Sequence, residues 1–207
     1  MKRPIRSEIA LGVAMFVLLW LVPGMAAAQQ PVPPGPAAPG GPGSDILRIR
    51  KVTPGTEKTP LFKTSSQAQS SGRQTDWWRV AVEFETAPEW IDELEFIYYV
   101  YMKDQSNKGA EVMFRGNVTY VNIARGKHLS DMFLHPSTVA RLGRVEQVAV
   151  VVKSKGAVVA SESTARTPNW WDRFSPVEGV LLSRPQTPFA FIDFDSFEAI
   201  KPAVPAR

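Results

Sequence analysis

The chain has 207 residues, with 24 Lys and Arg against 20 Asp and Glu, a formal net charge of +4, 18 Pro, 14 Gly and no Cys. The missing Cys excludes a disulfide scaffold, a thiolate metal site and a Cys nucleophile, and two His are too few for most His-based zinc sites. The basic excess is too mild for a dedicated nucleic-acid binder, which concentrates Lys and Arg on one face.

Residues 1–28 read as an export signal. Lys2, Arg3 and Arg6 precede an apolar run over residues 9–22, Pro23 and Gly24 break it, and Ala26, Ala27 and Ala28 follow. This is the order of a basic region, an apolar region and a small-residue cleavage site. At about 1.5 Å per residue the apolar run spans roughly 21 Å, short of the roughly 30 Å of a bilayer core. Cleavage after Ala28 is therefore expected, with membrane attachment only through an uncleaved signal. Removing the signal takes away three bases and Glu8, so the remainder has 21 bases and 19 acids, a net of +2. Residues 29–44, with QQPVPPGPAAPGGPG over 29–43, are a Pro/Gly-rich linker that cannot bury enough apolar area to offset its ordering entropy.

From Asp45 onward the composition is that of a folded domain, expected to span residues 45–165. Ile46, Leu47, Ile49 and Val52 suggest a first strand, and the polar stretch 64–74 a loop. In residues 77–86 Trp78, Val80, Val82 and Phe84 alternate with Trp77, Arg79, Ala81 and Glu83, the period of a half-buried strand, with Pro88 expected to end it. Residues 91–102 form the strongest strand, with Leu94, Phe96, Tyr98, Val100 and Met102 on one face and Glu95, Ile97, Tyr99 and Tyr101 on the other. Strands are also expected over 112–123, with Gly116 as a bulge, at a short edge strand 129–134, and over 145–153 and 157–163, the last two forming a hairpin. Residues 136–143 are the one expected helical turn, with Gly143 as its stop. Seven short strands with no intervening long amphipathic helix predict an all-β fold, an immunoglobulin- or fibronectin-III-like antiparallel β-sandwich.

Residues 166–207 form a C-terminal extension. It holds Trp170, Trp171, Phe174, Phe189, Phe191, Phe194 and Phe197, too many aromatics for a disordered tail. The extension is expected to be ordered and to pack on the sandwich. It should cover the face bearing Trp77, Tyr99 and Tyr101 and add residues 189–194 as an edge strand. The rival is a segment that folds only by adding to another subunit.

No phosphate loop, nucleophile elbow or H-E-x-x-H motif is present. His128, Asp131 and His135 lack the spacing of a metal site, and surface or capping roles are expected of the two His. Asp193 and Asp195 stand at i, i+2 and would share one face of a strand, which makes them the candidates for a hydrolytic acid/base pair. Asn117-Val118-Thr119 is a formal glycosylation sequon. Adjacent strand residues point to opposite faces, so only one member of each pair Trp77-Trp78 and Trp170-Trp171 can enter a core. Trp77, Tyr99, Tyr101, Trp170 and Trp171 are therefore the candidate partner or ligand surface, either covered by the extension or exposed as a stacking platform. No catalytic residue, cofactor or metal is assigned.

The WWRVAVEF strand, the LEFIYYVYM strand and the LLSRPQTPFAFIDFD segment, set behind a signal and a Pro-rich leader, resemble exported immunoglobulin-like proteins encoded with type IV pilus genes in Gram-negative bacteria. The resemblance is one of layout over roughly residues 45–197. It implies a periplasmic or surface assembly or adhesion role and no catalysis, and carries no site residues with it. The expected function is a non-enzymatic exported interaction module of a cell-envelope assembly, pilus- or secretion-related, in the periplasm or outside the cell. Its partners would be envelope proteins, with self-association through a sheet edge as a further mode, and no nucleic acid. The alternatives are a carbohydrate-binding module using exposed Trp and a hydrolase using the paired Asp.

Overall fold

The computed structural model describes residues 45–61 and 74–202. The expected signal and linker, and most of the expected polar loop at 64–74, lie outside the described residues. The fold is all-β, as its composition and alternation predict. Eight strands form one sheet: β1 (Leu47–Lys58), β2 (Asp76–Asp104), β3 (Ala110–Leu134), β4 (Val145–Ser154), β5 (Ala157–Ser163), β6 (Val177–Glu178), β7 (Leu181–Ser183) and β8 (Ala199–Ile200). One short helix, α1 (Pro136–Leu142), joins β3 to β4.

Five strands stand where seven were expected up to residue 164, because two pairs are fused. Residues 77–86 and 91–102 both belong to β2, and residues 112–123 and 129–134 both belong to β3. Pro88 does not end its strand. The β2–β3 register skips from Thr86↔Gly126 to Trp90↔Ala124, and Pro88 falls in that interruption, where the ladder needs no N–H from it. The segment 129–134 is likewise no edge strand, since β2 pairs with one side of it and β7 with the other at Met132–Leu134.

The long hairpin folds back on itself. Phe84 and Phe96 are twelve positions apart, about 40 Å along a straight strand, yet their ring centroids lie 4.8 Å apart. The Tyr98 hydroxyl meets Ser130 Oγ at 2.5 Å across the same interior. The two halves of one sheet therefore face each other. Val80, Val82 and Phe84 from the first half join Leu94, Phe96, Tyr98 and Val100 from the second in a single core. β1 pairs with residues 76–86 and β4 with residues 95–102, both on the edge of β2 away from β3. In an immunoglobulin sandwich two separate sheets do this; here one bent sheet, mixed through the parallel β3–β6 pair, supplies both layers.

Gly116 is not a bulge either. It pairs in register with Tyr98, and its missing side chain makes room for Leu181: a Cβ there would stand 2.6 Å from Leu181 Cβ and from Met132 Cε. Leu181 and Met132 both belong to the interior cluster, so the extension inserts Leu181 into the core beside Gly116. Gly116→Ala is expected to cost about 1–3 kcal/mol through overpacking, read as a lower urea midpoint with an unchanged slope.

Candidate functional site

The outward faces of both layers are covered by the extension, in two separate patches. Over the second layer, Trp170, Trp171 and Phe174 pack on Ile97, Tyr99, Tyr101, Met113 and Val151. Tyr99 stacks on Trp171 at 5.7 Å and 15°, and Tyr101 meets Trp170 at 6.1 Å and Phe174 at 5.1 Å. Their polar ends are occupied as well. The Trp170 indole N–H donates to Ser163 Oγ at 2.8 Å, and the Tyr101 hydroxyl donates to Glu111 at 2.8 Å. Burial and that carboxylate push the Tyr101 phenol up to about 12. Over the first layer, Trp77 packs with Phe133 and Phe189, and Phe133 stacks on Phe189 at 4.9 Å and 9°.

The five candidate surface residues are thus brought into two clusters, Trp77 in one and Tyr99, Tyr101, Trp170 and Trp171 in the other. Trp77, Tyr101, Trp170 and Trp171 are buried and Tyr99 is half-buried. As a stacking platform they are corrected by the structure: their faces pack against one another and against the apolar outer faces of the sheet. Trp90, at the fold-back of β2, is the exposed Trp among the described residues, at 64%, and it stands alone.

The Asp pair is corrected too. Residues 189–194 do not form an edge strand. Residues 184–197 run as successive tight turns, closed by Thr187 N–H to Arg184 O at 3.1 Å, Ala190 N–H to Thr187 O at 3.3 Å, Ile192 N–H to Phe189 O at 3.0 Å and Ser196 N–H to Asp193 O at 2.8 Å. Asp193 has a left-handed backbone, with φ of 48°, and Asp193 and Asp195 are both exposed, so the two carboxylates share no strand face. The extension's pairing with β3 comes instead from β6, β7 and β8.

His128, Asp131 and His135 take separate structural duties. His135 Nδ1 accepts from the Ser137 N–H at 3.2 Å and caps α1. His128 Nε2 lies 2.9 Å from Ala124 O, and its Nδ1 lies 2.7 Å from Glu198. Asp131 is fully buried. Asn117, of the sequon, is exposed and donates to Glu95 at 3.1 Å.

Asp131 anchors the turn that carries the remaining exposed aromatics. Arg184, itself buried, donates to it through Nε at 3.2 Å and Nη2 at 2.8 Å, and Arg79 Nη2 lies 3.0 Å from the same oxygen. Burial pushes the Asp131 carboxyl up, against the pull of Arg184 and Arg79. Arg184 Nη1 donates to Phe189 O at 2.7 Å and Ile192 O at 2.8 Å, so four of its five N–H groups are used. Its guanidinium lies 3.7 Å from the Phe197 ring centroid. Ser183 and Gln186 close a capping box at the start of the turn. On this clamped backbone Phe191 and Phe194 are left 81% and 70% exposed.

That arrangement has a fixed backbone, two apolar rings and two carboxylates, the components of a contact surface. Sequence reasoning missed it, because Arg184 and Asp131 are 53 positions apart and nothing local marks which Phe of FAFIDFDSF turns inward. The available signal was an Arg set within the apolar and aromatic extension, between Leu182 and Phe189.

Replacing Arg184 with Leu leaves Asp131 buried with one partner fewer. It is expected to cost on the order of 3 kcal/mol and to open residues 184–197 to protease before the rest of the sheet. Denaturant melts and limited proteolysis with mass mapping measure the two effects. Asp131→Asn combined with Arg184→Leu should recover part of the loss, since the uncompensated charge goes with its partner.

A protein-family model matches residues 44–204. Among solved structures, a crystal structure of a protein from Akkermansia muciniphila aligns with a TM-score of 0.69 and 24% identity, over 77% of this chain and 94% of that one; at that identity the likeness shows the fold. None of the curated proteins matches the chain. With the match running from just before β1 to just beyond β8, the chain belongs to the family that this model describes.

Proposed function

We propose that the chain is a non-enzymatic, exported interaction module of a cell-envelope assembly, pilus- or secretion-related, acting in the periplasm or outside the cell. The observation that carries this reading is the division of labour among its side chains. Both His, the buried Asp131 and the ring-bearing Tyr101 and Trp170 are engaged in internal contacts, and the exposed Asp193 and Asp195 share no strand face. What faces solvent is a clamped aromatic turn and free strand edge.

The edges differ in how they are guarded. β1 pairs only with β2 among the described residues, and it carries Lys51, Pro54 and Lys58 and a register shift between Ile49 and Lys51. Lys, Pro and bulges are the usual devices against edge-to-edge pairing. β5, sequence AVVASES, pairs only with β4 among the described residues and has neither Lys nor Pro, with Val158 56% exposed. β5 is therefore the less guarded of the two edges, with β1 lying beside it. The export signal read from residues 1–28 and the resemblance to pilus-associated immunoglobulin-like proteins supply the envelope context.

The test has three readouts in the native host: fractionation, intact mass, and cross-linking through photo-reactive residues placed at 158 and 194. The expected result is a processed chain lacking residues 1–28 in the envelope or medium, adducts with envelope proteins, and no turnover of glycan, ester or peptide substrates. A cytosolic chain, or hydrolysis that disappears with Asp193→Asn and Asp195→Asn, overturns it.

A further inference from the structure

We infer that the turn over residues 187–196 is a docking site for a polypeptide segment that combines an aliphatic or aromatic side chain with flanking Lys or Arg. This specifies the partner chemistry of the module proposed above, and rests on that reading only in taking the chain to be a binding protein.

The turn presents Phe191 and Phe194, 81% and 70% exposed. Both project from a backbone held by Arg184 at Phe189 O and Ile192 O and by the turn hydrogen bonds Ser196 N–H to Asp193 O and Phe197 N–H to Phe194 O. Such a surface loses little conformational entropy when a partner arrives, and rigid aromatics are the side chains that dominate contact energies. Exposed apolar area on a clamped segment differs in kind from a ring left out by a slack loop.

Charge selects the occupant. Asp193 and Asp195 alternate with the two rings and are both exposed. Neither belongs to an ion pair among the described residues. Two free carboxylates beside two rings attract Lys and Arg, repel acidic surfaces, and make an anionic lipid surface the wrong partner. An apolar anchor with adjacent bases on a polypeptide satisfies both features together.

The probe is a library of short random peptides displayed on phage and panned against the full chain. Phe191→Ala/Phe194→Ala and Asp193→Asn/Asp195→Asn variants are run in parallel. These positions are exposed, and Asn tolerates the left-handed backbone at 193, so both variants should keep the parent's thermal midpoint. The expected result is enrichment of peptides pairing an aliphatic or aromatic residue with Lys or Arg. Their affinity should fall at least about tenfold on the Phe variant, and it should weaken with salt on the parent far more than on the Asp variant. Peptides that bind the Phe variant equally well, acidic or uncharged winners, or no enrichment above the Phe variant overturn the inference. So does binding of phosphatidylglycerol vesicles that disappears with the Phe variant, in favour of a lipid surface. Panning is blind to compartment, so failed export would defeat the envelope reading and leave this one standing.

Discussion

Every layer of this structure depends on β2 and β3 turning back together at one place. The turn is built from few parts. Ala87, Pro88 and Glu89 on β2 stand opposite Arg125 alone on β3, and the Arg125 Nε–H donates to Ala87 O at 2.7 Å. The buried Thr86 hydroxyl donates to Ala124 O at 2.7 Å and accepts from the Gly126 N–H at 3.1 Å. Gly126 and Asn122 take φ of 148° and 56°, which Gly adopts freely and Asn adopts more readily than other side chains. A surplus of residues on one strand increases local twist and bend, and an interruption in the ladder lets Pro88 sit inside a long strand. Once the hairpin is bent, the even-numbered residues on both sides of the bend face one interior, and one sheet does the work of two.

A bent hairpin still leaves the outer edge of β3 and two outward faces open to water, and the extension answers all three. Its course is pinned by a buried charge, which is an expensive way to hold a segment. Taking a carboxylate and guanidiniums out of water costs several kcal/mol per ion, and only close geometry with further hydrogen bonds offsets it. Asp131 and Arg184 meet that condition, with the bonds to Phe189 O and Ile192 O occupying both Nη1 hydrogens. An apolar anchor could slide by a residue or two along β3. A charge that must meet Asp131 has one acceptable register, and with it Leu181 falls beside Gly116 and Phe189 onto Phe133.

The sequence carried most of the strand content and little of the way strands are joined. Period-2 alternation identifies Val80, Val82, Phe84, Leu94, Phe96, Tyr98 and Val100 as one buried series, and all seven lie in one core. The Gly143 stop of α1 was readable as well, since a helix end with φ of 94° needs glycine. The fusion of strands across Pro88 was not, because local propensity reads Pro as an end and only the neighbouring strand shows that its N–H is not needed. Gly116 was misread for a related reason: a glycine chosen for the approach of Leu181, 65 positions away, looks locally like a bulge. The aromatic extension announced that it would pack on the sheet, since its rings could not stay in water. It did not announce that its edge strands would lie at 177–178, 181–183 and 199–200 while 189–194 turned, because the clamp that decides this is the long-range pair of Arg184 and Asp131.

The same clamp gives the exposed rings their meaning. Five of the seven aromatics in the extension are buried or half-buried, namely Trp170, Trp171, Phe174, Phe189 and Phe197. Leaving Phe191 and Phe194 in water forgoes roughly 1.5–3 kcal/mol each, if full burial is the comparison. A segment free to move would have tucked them against the sheet, as it did Phe189 three positions after Gln186. The hydrogen bonds of Arg184 to the carbonyls of Phe189 and Ile192 oppose that, since they hold the backbone in a turn that leaves residues 191 and 194 facing solvent. The interaction that gives the extension its register therefore also fixes which aromatics face outward. A substitution that loosens the clamp is then a change in stability and in surface at once: the buried cluster around Trp77 loses Phe189 as the outward pair loses its fixed geometry.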